Sequence, residues 1–371
     1  MKKLILPLLA LALLASCTTK ANNPQELGLK DALKDEFLIG VAMNLDYIWK
    51  RNPKADAAIK KHFNSIVAEN CMKSMYMQPE EGVFFWDDAD RFVEFGEANN
   101  MFIIGHTLIW HSQAPDWFFI DENGNDVSRE VLIERMRTHV HTIVTRYKGR
   151  VHGWDVVNEA ILNDGTWRDN KFYQILGKDY VRLAFEFAHE ADPNAELYYN
   201  DYNEWHVGKR DGVVEMINEL KAQGIRIDAM GMQGHWGMDY PQLDEIQAAI
   251  DAYVSTGVKV MITELDITAL PTARRVSAEI SETEEYRAEM NPYVHGISAE
   301  TAEAWTNRVL SFFQLFLDNS QHITRVTMWG LSDGASWKNN HPIPGRTDYP
   351  LLFDRNYDAK PVIEKIINLA R

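Results

Sequence analysis

The chain has 371 residues, of which 46% are hydrophobic and 25% charged, with a formal net charge of −16. That composition belongs to a globular domain and excludes collagen, coiled coil and a disordered chain. The acidic balance argues against a nucleic-acid partner, which needs a basic footprint, and against an anionic polymer as substrate. Two cysteines are too few for a disulfide scaffold or a cysteine-based zinc site.

The first 16 residues read as a signal peptide, with Lys2 and Lys3 ahead of an apolar run from Leu4 to Ala15. A run of 12 residues is too short for a bilayer span, which needs about 20. The ending Leu14-Ala15-Ser16-Cys17 resembles the bacterial lipoprotein box. That resemblance implies cleavage before Cys17, lipidation of its thiol, and export to the periplasmic face or the outer-membrane surface. Residues 17–28 then form a lipid-anchored tether, and the membrane is met only through that lipid. Cys71 has no partner and is expected as a small core residue.

From residue 29 onward, short apolar runs alternate with helical patterns, the signature of βαβ units. Eight strands are predicted, at Phe37–Ala42, Ser65–Ala68, Phe102–Thr107, Gly153–Val157, Glu196–Tyr199, Ala229–Gln233, Lys259–Thr263 and Arg325–Trp329. Asn52-Pro53 reads as a helix cap followed by proline at the first helical position. Ser128 caps a helix on which Leu132, Met136, Val140, Ile143 and Tyr147 share a face, with His139 and His141 expected at the surface. Val181, Ala184, Phe185 and Ala188 repeat the pattern, and Pro361 opens a last helix bearing Ile363, Ile366 and Ile367. Eight units without a long linker predict an α/β fold, a single (β/α)₈ TIM barrel over residues 29–371.

In such a barrel the residues just after each strand meet at one rim. Here they are Asn44, then Glu69, Asn70 and Lys73, then His106 and Trp110, then Asn158 and Glu159. Asn200 and Tyr202 follow, then Gln233 and His235, Glu264 and Asp266, and Trp329 with Trp337. Glu159 and Glu264 follow the fourth and seventh strands, which face each other across the barrel. Two carboxyls so placed can split a glycosidic bond, one as proton donor and the other ionised. If the ionised group attacks the sugar directly the reaction is retaining; if it activates a water the reaction is inverting.

The segments Glu69-Asn70-Cys71-Met72-Lys73, Gly105 to Gln113, Trp154 to Glu159, Tyr199 to Asn203 and Ile262 to Asp266 resemble the signatures of glycoside hydrolase family 10. That family consists mainly of endo-1,4-β-xylanases, and the likeness runs from about Leu29 to Leu369. It implies retaining chemistry without metal or organic cofactor, with Glu159 as acid/base and Glu264 as nucleophile. It also implies that Asn158 binds the 2-hydroxyl of the sugar being cleaved. Glu69, Asn70, Lys73 and His106 bind glycone hydroxyls in that scheme. Gln233, His235 and Tyr202 contact substrate or nucleophile, with Asp266 supporting His235. Trp110, Trp329 and Trp337 face the pyranose rings and leave little room for a C6 substituent. The expected ligand is xylan or its oligosaccharides, bound by a monomer.

Two departures from the family pattern stand out. Ser74 replaces a tryptophan and is expected to alter one contact on the cleft floor. The loop at about residues 268–305 is long and polar, with Arg274, Arg275 and a charged run from Glu279 to Glu289; it is expected to shape the leaving-group side. Asp155 and Asn200 read as structural hydrogen-bonders, and Trp49, Trp86 and Trp305 as packing residues. His106, His111 and His235 lack the spacing of a metal site. Two other readings stay open, a retaining hydrolase of another β-1,4-glycan and a non-catalytic glycan-binding lipoprotein. The second- and third-strand motifs favour xylan.

Overall fold

The computed structural model describes residues 27–272, 279 and 281–371. The predicted leader, nearly all of the tether, Arg274 and Arg275 lie outside the described residues. Among the described residues nine strands run in chain order: β1 Leu38–Met43, β2 Ser65–Ala68, β3 Phe102–Trp110, β4 Gly153–Asn158, β5 Glu196–Asp201, β6 Ala229–Met232, β7 His235–Gly237, β8 Lys259–Thr268 and β9 Ile323–Met328. All pair in parallel, β1 joins β9, and β6 pairs with β8, so eight strands close into a barrel. The short strand β7 was not expected. It pairs only with the outer end of β8, His235 opposite Asp266.

Two apolar layers hold the barrel. Outside, the strands bury Ile, Val and Leu against the helices; Asp179–Ala191, for instance, buries Val181, Ala184, Phe185 and Ala188. Inside, Ala42, Val67, Ile104, Tyr198, Ala229, Met261 and Trp329 form a smaller cluster. Small residues decide where large ones fit. A Cβ on Gly105 would fall 2.1 Å from the Trp154 ring, and one on Gly231 would meet Asn200 Oδ1 at 2.5 Å. Gly231 therefore leaves the room in which Asn200 stands.

The helix starts follow their sequence signals. The Asn52 side chain accepts from the N–H groups of Lys54 and Ala55 with Pro53 first in the helix, and Ser128 Oγ accepts from Val131 N–H at 3.4 Å. His139 corrects the surface expectation. It is fully buried in Arg129–Arg146, with Nδ1 2.7 Å from Gln78 Oε1 and Nε2 3.3 Å from Ser74 Oγ. Position 139 is three past Met136 and so on the same helical face, whose polarity is satisfied by that buried pair. Burial holds its imidazole down to about 3. Ser74 accordingly turns away from the cleft, donating to Leu108 O at 3.1 Å. Trp49, expected to pack, is 40% exposed, donating to Asp88 at 2.7 Å under the Arg91 guanidinium. Trp305 and Cys71 are buried as expected.

Candidate active site

Register explains which side chains meet. His106 on β3 stands beside Asp155 on β4, Trp110 beside Asn158, and Asn158 beside Asn200 on β5. Irregularities in register interrupt β3–β4 after His106 and β4–β5 after Asp155, and such breaks re-aim side chains at a barrel rim. A cavity of about 210 Å³ results, lined by Glu69, Asn70, Lys73, His106, Trp110, Gln113, Asn158, Glu159, Gln233, His235, Glu264, Trp329 and Trp337. Every sequence-predicted substrate residue except Tyr202 is on that wall.

Glu159 is set by its backbone as much as by its neighbours. Its φ of 59° is left-handed, a conformation that costs a non-glycine residue roughly 1–3 kcal/mol. The surroundings enforce it: Glu159 N–H donates to Asn200 O at 2.9 Å, and Arg168 Nε donates to Glu159 O at 2.9 Å. The carboxylate accepts from Trp110 Nε1 at 2.9 Å, Gln233 Nε2 at 3.0 Å and Asn158 Nδ2 at 3.2 Å. Burial raises its pKa; His111 and the Gln233 bond pull the other way, Asp201 and Glu279 add to the rise, and the net direction is up.

Glu264 is equally buried but moves the opposite way. Burial alone would raise its pKa, yet the His235 hydrogen bond, the charges of His106 and His235 and the Asn200 amide lower it below the ordinary carboxylate range. His235 Nε2 lies 3.2 Å from Glu264 Oε2, and Asn200 Nδ2 donates to Oε1 at 2.7 Å. On the other side of the ring, His235 Nδ1 is 3.0 Å from Asp266 Oδ2. The pair attracts by charge. Burial opposes protonation of His235, but Asp266 and Glu264 outweigh it and lift the imidazole to about 9. Asp266 is also held by Trp337 Nε1 at 2.7 Å and by Lys338 Nζ at 3.6 Å.

On the wall that follows β2 and β3, Lys73 Nζ donates to Asn70 Oδ1 at 3.0 Å and sits 5.0 Å over the Trp110 ring. Its pKa is lowered by burial, against the pull of Glu264, Glu69 and Glu159. His106 Nδ1 meets Asp155 Oδ2 at 2.8 Å, which aims Nε2 at the cavity, and the ring lies edge-on to Trp329. Trp337 stacks on His341 with centroids 4.7 Å apart.

Tyr202 is not among the residues lining that cavity. Its hydroxyl accepts from Arg168 at 2.7 Å and its ring lies under Lys209, which pairs with Asp201 at 2.6 Å, both fully buried. Sequence reasoning set Asn200 aside, yet it bridges Asn158 Oδ1 and Glu264, its own Oδ1 accepting from Thr263 at 2.6 Å. Position after a strand was the available signal. It missed Glu279, from the loop after β8, which meets His111 Nε2 and Arg168, each at 2.9 Å. His111, Glu159 and Glu279 bring three donor atoms within 4.8 Å of one another, but the Arg168 guanidinium already supplies the counter-charge there.

A family model described as glycosyl hydrolase family 10 matches residues 28–369. Endo-1,4-beta-xylanase A of Xylanibacter ruminicola is 49% identical, the match covering 100% of both chains. A GH10 endoxylanase from a sugarcane soil metagenome superposes with a TM-score of 0.90 at 44% identity, covering 92% of this chain and 100% of that one. A mutant solved in complex with xylotriose superposes at 0.83 with 34% identity, covering 92% and 99%. With the barrel, the paired carboxylates and these likenesses together, the chain belongs to glycosyl hydrolase family 10.

Proposed function

We propose that this protein is an endo-1,4-β-xylanase that cleaves internal β-1,4-xylosidic bonds of xylan with retention, using Glu159 as acid/base and Glu264 as nucleophile. One observation carries the assignment of roles. Two buried carboxylates share one cavity, and their surroundings push one pKa up and the other down. Paired titratable groups driven apart in this way divide into acid and base.

In the first step Glu264, already an anion, attacks the anomeric carbon while protonated Glu159 donates to the departing glycosidic oxygen. A glycosyl ester on Glu264 forms as the aglycone leaves. In the second step Glu159, now ionised, takes a proton from water, which attacks the same carbon and releases Glu264. Asn158 and Asn200, linked at 3.0 Å, hold the two carboxylates in register. Asn158 is placed to meet the 2-hydroxyl, a contact that strengthens in the transition state. The His235 cation stabilises Glu264 as attacking and leaving group. The Trp329 and Trp337 faces favour a sugar without a hydroxymethyl group, hence xylan over cellulose. Product analysis on β-1,4-xylan and on cellulose tests the substrate. Short xylo-oligosaccharides with little from cellulose are expected, and cleavage of cellulose alone would overturn it.

The sequence further supports an exported lipoprotein anchored at Cys17, and we propose that it acts as a monomer. Radiolabelled palmitate should enter the wild type and not Cys17→Ser, which should be released from membranes; equal labelling of both would reject the anchor. Sedimentation of the domain as a dimer would reject the monomer.

A further inference from the structure

The chain leaves β4 at Asn158, turns through the left-handed Glu159 and then folds back on itself. Ile161 bridges antiparallel to Trp167, Leu162 N–H donates to Thr166 O at 2.8 Å, and Arg168 N–H donates to Ala160 O at 2.8 Å. That short hairpin returns Arg168 to the side of Glu159. It is pinned at both ends. At the tip, Gly165 packs so closely on the helix Val207–Ala222 that a Cβ there would fall 2.6 Å from Gly208 O. At the base, the Tyr199 hydroxyl accepts from Ala160 N–H at 2.9 Å and from Ile161 N–H at 3.2 Å.

The Arg168 guanidinium spreads its donors over three segments. Nε reaches Glu159 O at 2.9 Å, Nη1 reaches Glu279 Oε2 at 2.9 Å, and Nη2 reaches the Tyr202 hydroxyl at 2.7 Å. Its side chain is only 13% exposed and that of Glu279 only 8%, so water offers little in exchange for these bonds. A planar fork suits three diverging acceptors, whereas a lysine brings its donors to a single point. The bond to Glu159 O has a special place among the three. The peptide it holds belongs to a residue with φ of 59°, and a strained backbone of that kind persists only where its surroundings impose it. Arg168 itself is not among the residues lining the catalytic cavity, so it acts through Glu159.

We propose that Arg168 is the positioning residue of the acid/base: braced by Glu279 and Tyr202, it fixes the Glu159 peptide and thereby aims the Glu159 carboxyl at the departing glycosidic oxygen. The proposal rests on the xylanase reading and adds a residue to it. Its signature is selective. A reacting group displaced by ~1 Å can lose about 10²-fold in rate, and a displaced acid loses it only where the leaving group needs a proton.

The test compares wild type, Arg168→Lys and Tyr202→Phe on xylohexaose and on an aryl β-xylobioside with a good leaving group. Arg168→Lys keeps the charge and removes the fork. Its kcat/KM should fall about 10²-fold on xylohexaose and by less than about threefold on the bioside, since kcat/KM reports the first, acid-assisted step. Tyr202→Phe removes one of the three bonds and keeps the ring, so it decides the matter if circular dichroism shows Arg168→Lys to be unfolded; its hexamer-to-bioside ratio should fall in the same direction. Equal losses on the two substrates in the folded variants would make Arg168 a purely structural residue and overturn the proposal, as would a ratio equal to that of wild type. A wild type active on neither substrate would sink the xylanase reading itself.

Discussion

Asn200 donates its amide to Glu264 Oε1 across 2.7 Å and to Asn158 Oδ1 across 3.0 Å, so one side chain spans the proposed nucleophile and the neighbour of the proposed acid/base. It is fully buried, and its Oδ1 takes the Thr263 hydroxyl. Asn200→Ala would strand all three partners, and an unsatisfied buried group costs about 1–3 kcal/mol. A fall in Tm and in kcat together is expected from calorimetry and xylan assays. An unchanged Tm would show that the bridge is dispensable.

Glu159→Ala should lower kcat/KM on xylan by roughly 10²–10⁴-fold, the usual contribution of a general acid. Aryl xylosides with a good leaving group need little protonation, so their first step should be spared. Comparable losses on both substrate types would remove Glu159 from the acid/base role.

The pH profile carries its own prediction. Activity is lost on the acid side as Glu264 takes up a proton and on the alkaline side as Glu159 loses one. The first pKa is lowered and the second raised, so the bell extends beyond the ordinary carboxylate range on both flanks. His235→Asn removes the cation beside Glu264 and should move the acid limb to higher pH. An acid limb that stays in place would contradict the role given to His235.

The same imidazole links stability to pH. Its folded value of about 9 lies above the ordinary one near 6.5, so its stabilisation is complete below pH ~6.5 and is lost as pH rises through 9. The full loss is about 3 kcal/mol. Melts of wild type and His235→Asn should converge across that window, and parallel curves would count against a charged His235.

Glu279 is held at about 2: burial would raise it, but the His111 hydrogen bond and the charges of His111 and Arg168 prevail. Its anion helps keep the Glu159 pKa up. Glu279→Gln should therefore shift the alkaline limb of activity to lower pH while kcat at the optimum falls by less than about tenfold. A profile identical to wild type would confine Glu279 to a structural role.

Much of this was legible from residue order. Eight apolar runs between helical stretches define the barrel, and strand-end position collects the residues of the catalytic cavity. What escaped depends on contacts between segments distant in sequence. Asn200 and Asp155 look like any polar residues at strand ends until register sets them against Glu264 and His106. Tyr202 follows a strand too, and its hydroxyl and ring are engaged by Arg168 and Lys209. Glu279 sits in a polar loop whose course no periodicity describes. His139 is polar, but its helical phase puts it on the buried face, where Gln78 takes up its ring.

The most direct test of the paired-carboxylate account is to trap the intermediate. An aryl xylobioside fluorinated at C2 of the cleaved sugar should glycosylate the enzyme, with release of the aryl alcohol, and turn over slowly, because fluorine destabilises the oxocarbenium-like transition state. Mass spectrometry of the digest should place the adduct on Glu264, with none on Glu264→Ala. An adduct on another residue would contradict the assignment of the nucleophile. First-formed products of xylan with inverted anomeric configuration would contradict the retaining mechanism itself.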